Sequence, residues 1–173
     1  MAVQPIVRAH LVAPLLAIAT ACGRGPATAE NRRAAAAADT AFAGVQDRGH
    51  VAMGVDQFTS THIFESLPDG GRIELQRDEA DSAGAAQIRM HLREIAGRFA
   101  DGDFALPGFV HARAVPGTSV MAARRERITY TVDSLPRGAA LRLRTADSAA
   151  VRAIHEFLAF QRQDHQATGH FGS

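Results

Sequence analysis

Two stretches of this chain repeat one another, and the repeat constrains the fold more than any other feature. In the first, Phe58 to Glu65 is followed by Ser66-Leu67-Pro68-Asp69-Gly70-Gly71, a run from Arg72 to Arg77, Ala80-Asp81-Ser82 and a helical segment holding His91. In the second, Ile128 to Asp133 is followed by Ser134-Leu135-Pro136-Arg137-Gly138, a run from Leu141 to Arg144, Ala146-Asp147-Ser148 and a helical segment holding His155. A shared S-L-P-x-G turn and a shared A-D-S helix start, in the same order, imply a duplicated strand-turn-strand-helix module.

Local chemistry agrees with that reading. Proline presets φ and glycine accepts the backbone angles that tight turns demand. Ile73 and Leu75 alternate with Arg72, Glu74 and Gln76, while Phe58, His62 and Phe64 share a face of the first strand. In the second hairpin Ile128, Tyr130, Val132, Leu141 and Leu143 oppose Thr129, Thr131, Arg142 and Arg144. Asp81-Ser82 and Asp147-Ser148 suit helix N-caps, since their side-chain oxygens accept from free backbone N–H groups. Ile88, Leu92, Ile95 and Phe99 form one helical stripe with His91, and Val151, Ile154, Leu158 and Gln161 form another with His155. The predicted fold is α+β, with two ββα repeats forming a four-stranded antiparallel sheet and two helices packed on one face, so that both helix histidines point towards the sheet.

The flanks read differently. Residues 1–21 carry Arg8 and His10 and then run apolar from Leu11 to Ala21, broken by Pro14 and Thr20. This pattern predicts a signal peptide, too short for a membrane span. Leu15 to Cys22 resembles a bacterial lipobox, with ordinary cleavage after Ala19-Thr20-Ala21 as the alternative. Cys22 is the only cysteine, and an exported chain with one unpaired thiol is explained by lipidation of that residue. The expectation is an exported protein, on the periplasmic or cell-surface side of a bacterial membrane, held there by lipid. Residues 22–49 then form a partly helical tether with a helix over Ala34 to Val45, His50 to Gln57 an entry loop, 50–165 the duplicated domain and 166–173 a tail. Between the repeats, Pro107 to Gly117 reads as a long connection and Thr118 to Arg127 as a short helix.

All 19 basic side chains are arginine, and removing residues 1–21 takes away Arg8, leaving 18 arginines against 18 acids. That neutrality argues against nucleic acid as a partner, because phosphate binding needs a positive field. With a single cysteine no intramolecular disulfide is open to the chain, so stability outside the cytoplasm rests on packing or on a ligand.

Leaving out His10, the histidines are His50, His62, His91, His111, His155, His165 and His170. The predicted sheet-and-helix layer brings His62, His91 and His155 together, with His111, Met53, Met90 and Met121 as further donors. Imidazole and thioether without thiolate suit copper. The ordinary alternative is that such histidines are hydrogen-bonded core residues, the methionines gap fillers, and His165 and His170 solvated tail residues. The chain has no C-x-x-C and no H-E-x-x-H. A second class of function is a small hydrolase or lyase with His62, His91, His111 or His155 as general base and Asp56 or Asp103 orienting it. A third is a structural or partner-binding envelope lipoprotein that uses the polar sheet face bearing Thr129, Thr131, Arg142 and Arg144. With no catalytic signature in the sequence, the reading leans towards binding.

Met53-Gly54-Val55-Asp56-Gln57, Thr61 to Phe64, Ile88-Arg89-Met90-His91-Leu92, Gly102-Asp103-Phe104, Val115-Pro116-Gly117 and Ile154-His155-Glu156-Phe157-Leu158 resemble the pattern of an uncharacterised family of exported bacterial proteins. The resemblance spans about Met53 to His165 and implies one domain without an established activity. Where the family pattern carries two adjacent histidines in the first strand, this chain keeps His62 and has Thr61 beside it.

Overall fold

The repeated turns fold as two hairpins. The computed structural model describes residues 28–54 and 56–167. Its elements run α1 (Ala29–Met53), β1 (Ser60–Leu67), β2 (Gly70–Arg77), α2 (Ser82–Ala100), α3 (Ala105–His111), α4 (Thr118–Ala123), β3 (Thr129–Leu135), β4 (Gly138–Arg144) and α5 (Ser148–Asp164). The four strands form one antiparallel sheet in the order β1-β2-β4-β3, so the second strands of the two hairpins meet at its centre with Ile73 opposite Leu141. Asp81 and Asp147 cap α2 and α5 as predicted, each accepting from backbone N–H groups of the first turn.

Each of these helices covers the hairpin of the other repeat. Arg89 on α2 donates from Nε to Gly138 O at 3.0 Å and from Nη2 to Leu135 O at 2.6 Å. On α5, His155 Nε2 donates to Leu67 O at 2.9 Å and Arg162 Nη1 to Phe64 O at 2.6 Å. Arg89 lies eight positions after the cap Asp81, and His155 eight after the cap Asp147. Their acceptors, Leu135 and Leu67, are matching residues of the two S-L-P-x-G turns. His155 is therefore the counterpart of Arg89, and both act as locks from a helix onto the opposite turn. The counterpart of His91 is Phe157, so the expected pairing of His91 with His155 is corrected: it aligned the histidines, whereas the fold aligns the caps.

The core lies between the sheet and these two helices. Ile88, Leu141, Leu143, Ile154 and Leu158 have no exposed surface, and burying each contributes about 1.5–3 kcal/mol. Gly71 on β2 lets α5 approach: a Cβ there would stand 2.2 Å from Leu158 Cδ1.

Three expectations about the flanks change. The helix expected over Ala34 to Val45 runs from Ala29 to Met53, through the expected entry loop, and stops at Gly54, whose φ of 75° places it in the left-handed region with its N–H on His50 O. Its first part, Ala29 to Ala41, is exposed, while Val45, Gln46, Gly49 and Met53 are buried. Phe58 falls in a 3₁₀ turn before β1 and is 69 % exposed, so Phe64 alone is the phenylalanine that β1 buries. The expected connection from Pro107 begins inside α3 (Ala105–His111), because a proline at the third helical residue forfeits no internal hydrogen bond. Arg48 Nε ties α1 to α3 by donating to Val110 O at 2.7 Å.

On the outer sheet face Asp69 pairs with Arg142 and Arg144, and the Arg144 guanidinium chiefly holds its carboxyl below the usual carboxylate range. No helix among the described residues is long and apolar enough to cross a membrane. The predicted leader, Cys22 and His170 lie outside the described residues.

Candidate functional site

The course of α5 along β1 decides which histidines meet. From His155 to His165 the helix advances ten residues, about 15 Å. From Leu67 back to His62 the strand covers five residues, about 17 Å. With His155 fixed on Leu67 O, the other end of α5 delivers its C-cap residue, His165, to His62. The two ring centroids are 5.7 Å apart with planes 10° from parallel.

At that end the sheet, α1, α2, α3 and α5 enclose a cavity of about 90 Å³, open on one side. Its walls are mostly apolar, with Phe64, Ile73, Leu75, Leu92, Phe99 and Phe157 among them. Four imidazoles face it: His62 from β1, His91 from α2, His111 from the end of α3 and His165 from the end of α5. Met53, the last residue of α1, joins them, and Gln87 Nε2 on α2 holds its backbone carbonyl at 3.2 Å. His111 and His165 meet edge to face at a centroid separation of 5.1 Å.

The ring nitrogens are unevenly committed. His62 Nδ1 lies 3.1 Å from Ser60 O, and a carbonyl only accepts, so this nitrogen carries the proton and Nε2 keeps its lone pair when the ring is neutral. Among the described residues, His165 Nδ1 is buried without a partner and His91 makes no hydrogen bond. Burial disfavours the charged form of all three. It lowers the pKa of His62 and of His91. His165 is pushed down from 6.5 to about 3, by desolvation first and then by the neighbouring His62 and His111. These are neutral imidazoles at physiological pH.

His111 is differently held. Its Nδ1 donates to Asp164 Oδ2 at 2.5 Å, and its Nε2 lies 3.0 Å from Gln161 Oε1. Asp164 also accepts from Arg113 Nη2 at 2.5 Å, and that guanidinium lies 4.6 Å above the Phe160 ring. Both nitrogens of His111 are thus engaged.

The remaining predicted site residues lie elsewhere. His155 is the turn lock described above. Met90 is 55 % exposed on α2, and Met121 on α4 is fully buried in the core. Asp56 accepts from Phe58 N, and Asp103 accepts from Ala105 N and pairs with Arg98, so neither orients a histidine. The carboxylate that does so is Asp164, which sequence reasoning passed over together with the role of His165. The available signal was phase: His165 follows Gln161 by four residues, and Gln161 was already on the inward stripe.

Replacing His155 by alanine is expected to remove about 1–2 kcal/mol of stability, through a lost hydrogen bond that leaves Leu67 O unpaired. Urea unfolding measures this, and the cavity should keep whatever it binds.

As the rings are placed, no three His, Cys, Asp or Glu side chains among the described residues stand ready as a group for a metal ion. No known family, curated protein or solved structure matches this chain.

Proposed function

We propose that this protein is an extracytoplasmic binding module, lipid-anchored through Cys22, whose cavity takes a transition-metal ion, copper, on histidine and Met53. The observation carrying this is the set of three neutral imidazoles, His62, His91 and His165, with uncommitted nitrogens around one apolar cavity. Size favours an ion over an organic ligand. Pockets for small molecules run to roughly 300–1,000 Å³, and this one is about 90 Å³. Spacing supports the same reading. Two imidazoles sharing an ion at metal–nitrogen distances near 2.0 Å have ring centroids roughly 5–6 Å apart, and His62 and His165 are separated by 5.7 Å. Because His62 and His165 lie nearly parallel and no three such side chains among the described residues stand ready as a group, an ion on this site requires the His91 and His165 rings to turn inward.

Equilibrium titration of the purified protein with copper, with metal content measured after desalting, tests the proposal. One ion per chain is expected, and His62→Gln or His165→Gln should each weaken binding by a hundredfold or more. A parent protein that takes up no metal would sink the idea.

The His111–Asp164 pair favours a second reading, a hydrolase or lyase with His111 as base, since a carboxylate on Nδ1 orients an imidazole for proton transfer. This reading requires Gln161 to release Nε2. Turnover of model esters that falls a hundredfold in His111→Gln, with copper binding intact, would support it.

A further inference from the structure

We infer that the ion this cavity takes is monovalent copper, held by His62, His165 and His91, with the Met53 thioether facing the same space. The inference rests on the metal-binding reading above and adds the charge state of the ion.

Charge decides between the candidates. Taking an ion out of water into apolar surroundings is costly and rises steeply with its charge, so a wholly neutral ligand set compensates a divalent ion less well than a monovalent one. None of the described residues lining the cavity is acidic. Asp164, beside the cavity, is already shared between His111 and Arg113, each at 2.5 Å, and Asp78 and Glu94, which act on His62 and His91, are not among the lining residues. A neutral donor set therefore favours the ion that brings a single charge.

Ligand type and number agree. Thioether favours soft ions, Cu(I) among them, and imidazole suits copper and zinc alike; Zn²⁺ on three imidazoles completes its tetrahedron with a water, whereas here the fourth group facing the space is the Met53 thioether. With both nitrogens of His111 engaged, three imidazoles remain. His62 presents Nε2, because Nδ1 is held by Ser60 O. His165 presents the buried Nδ1, which has no partner among the described residues. His91 makes no hydrogen bond to a described residue, so it and His165 turn towards an ion without breaking one found there.

The test is an anaerobic titration of the purified protein with Cu(I) against a chromophoric chelator, run beside titrations with Cu(II) and Zn(II). The expected result is one Cu(I) per chain, bound at least a hundredfold more tightly than either divalent ion. His62→Gln and His165→Gln should each weaken it by a hundredfold or more and Met53→Leu by about tenfold. Because substitutions beside the core can unfold a chain, Ag(I), a redox-inert ion of the same charge, is also added to the unsubstituted protein. The side-chain nitrogen resonances of His62, His91 and His165 should then shift together while those of His155 stay in place. Zn(II) or Cu(II) held by the same histidines as tightly as Cu(I) would overturn the inference and leave metal binding standing. Retention of no ion would overturn both, and Cu(I) affinity or Ag(I) shifts independent of these histidines would overturn the assigned site.

Discussion

Lowering the pH from 7 to 5 is expected to remove about 2 kcal/mol of folding stability through His165 alone, and about twice that by pH 3.5. The folded-state pKa of this ring, about 3, lies below its ordinary value of 6.5. Between those values the unfolded chain binds a proton that the folded chain refuses, so stability is full above pH 6.5 and falls as the pH drops towards 3. Each unit of separation is about 1.4 kcal/mol. His62 and His91 are shifted in the same direction, also by burial, and add to the loss. Urea unfolding at pH 7 and pH 5 measures the effect. The window above pH 5 is chosen because the lowered aspartates, Asp69, Asp81, Asp103 and Asp147, titrate below it. In His165→Leu the dependence over this window should shrink by about 2 kcal/mol; an unchanged slope would mean that this ring is not buried neutral.

The second large effect concerns the floor of the cavity. Phe157 is 2 % exposed and meets Phe99 edge-on at 5.8 Å and Phe104 at 6.4 Å. It is the pseudosymmetric counterpart of His91 and faces the same space. Phe157→Ala is expected to cost about 3–5 kcal/mol, from lost burial plus a void that its packed neighbours only partly refill. Phe157→Leu should cost about 1–2 kcal/mol, since it keeps most of the apolar volume. Denaturant midpoints at constant m separate the two. A loss below 1 kcal/mol for the alanine variant would show that the cavity wall collapses freely, which is incompatible with a preformed site.

The parts of the fold legible in sequence were those encoded within a few neighbouring residues. Pro68 with Gly70, and Pro136 with Gly138, announce the turns, while Asp81 and Asp147 announce the helices. The strand faces follow from alternation. What local pattern could not carry was the crossing of each helix onto the opposite hairpin, because that depends on contacts such as Arg89 with Leu135 O and His155 with Leu67 O, across 46 and 88 positions. Misplacing that crossing put His155 in the site.

His165 was missed for the converse reason. Asp164 and Gln166 beside it are polar, and the neighbourhood reads as a tail, yet the helix persists through Asp164 and its phase returns His165 to the inner face. His62 and His91 were readable because each sits on an apolar stripe of its own element. His111 required α3, which a proline appeared to forbid by composition and which helix-start geometry permits.

In the proposed function His62, His91 and His165 form one metal site. A crystal structure of the copper-loaded protein, with anomalous scattering recorded at the copper edge, tests it most directly. The expected result is one strong peak about 2 Å from His62 Nε2 and His165 Nδ1, with His91 as the third ligand and Met53 close by. A peak on His50, on His155 or on another group outside the cavity, with the cavity rings unmoved, would contradict it.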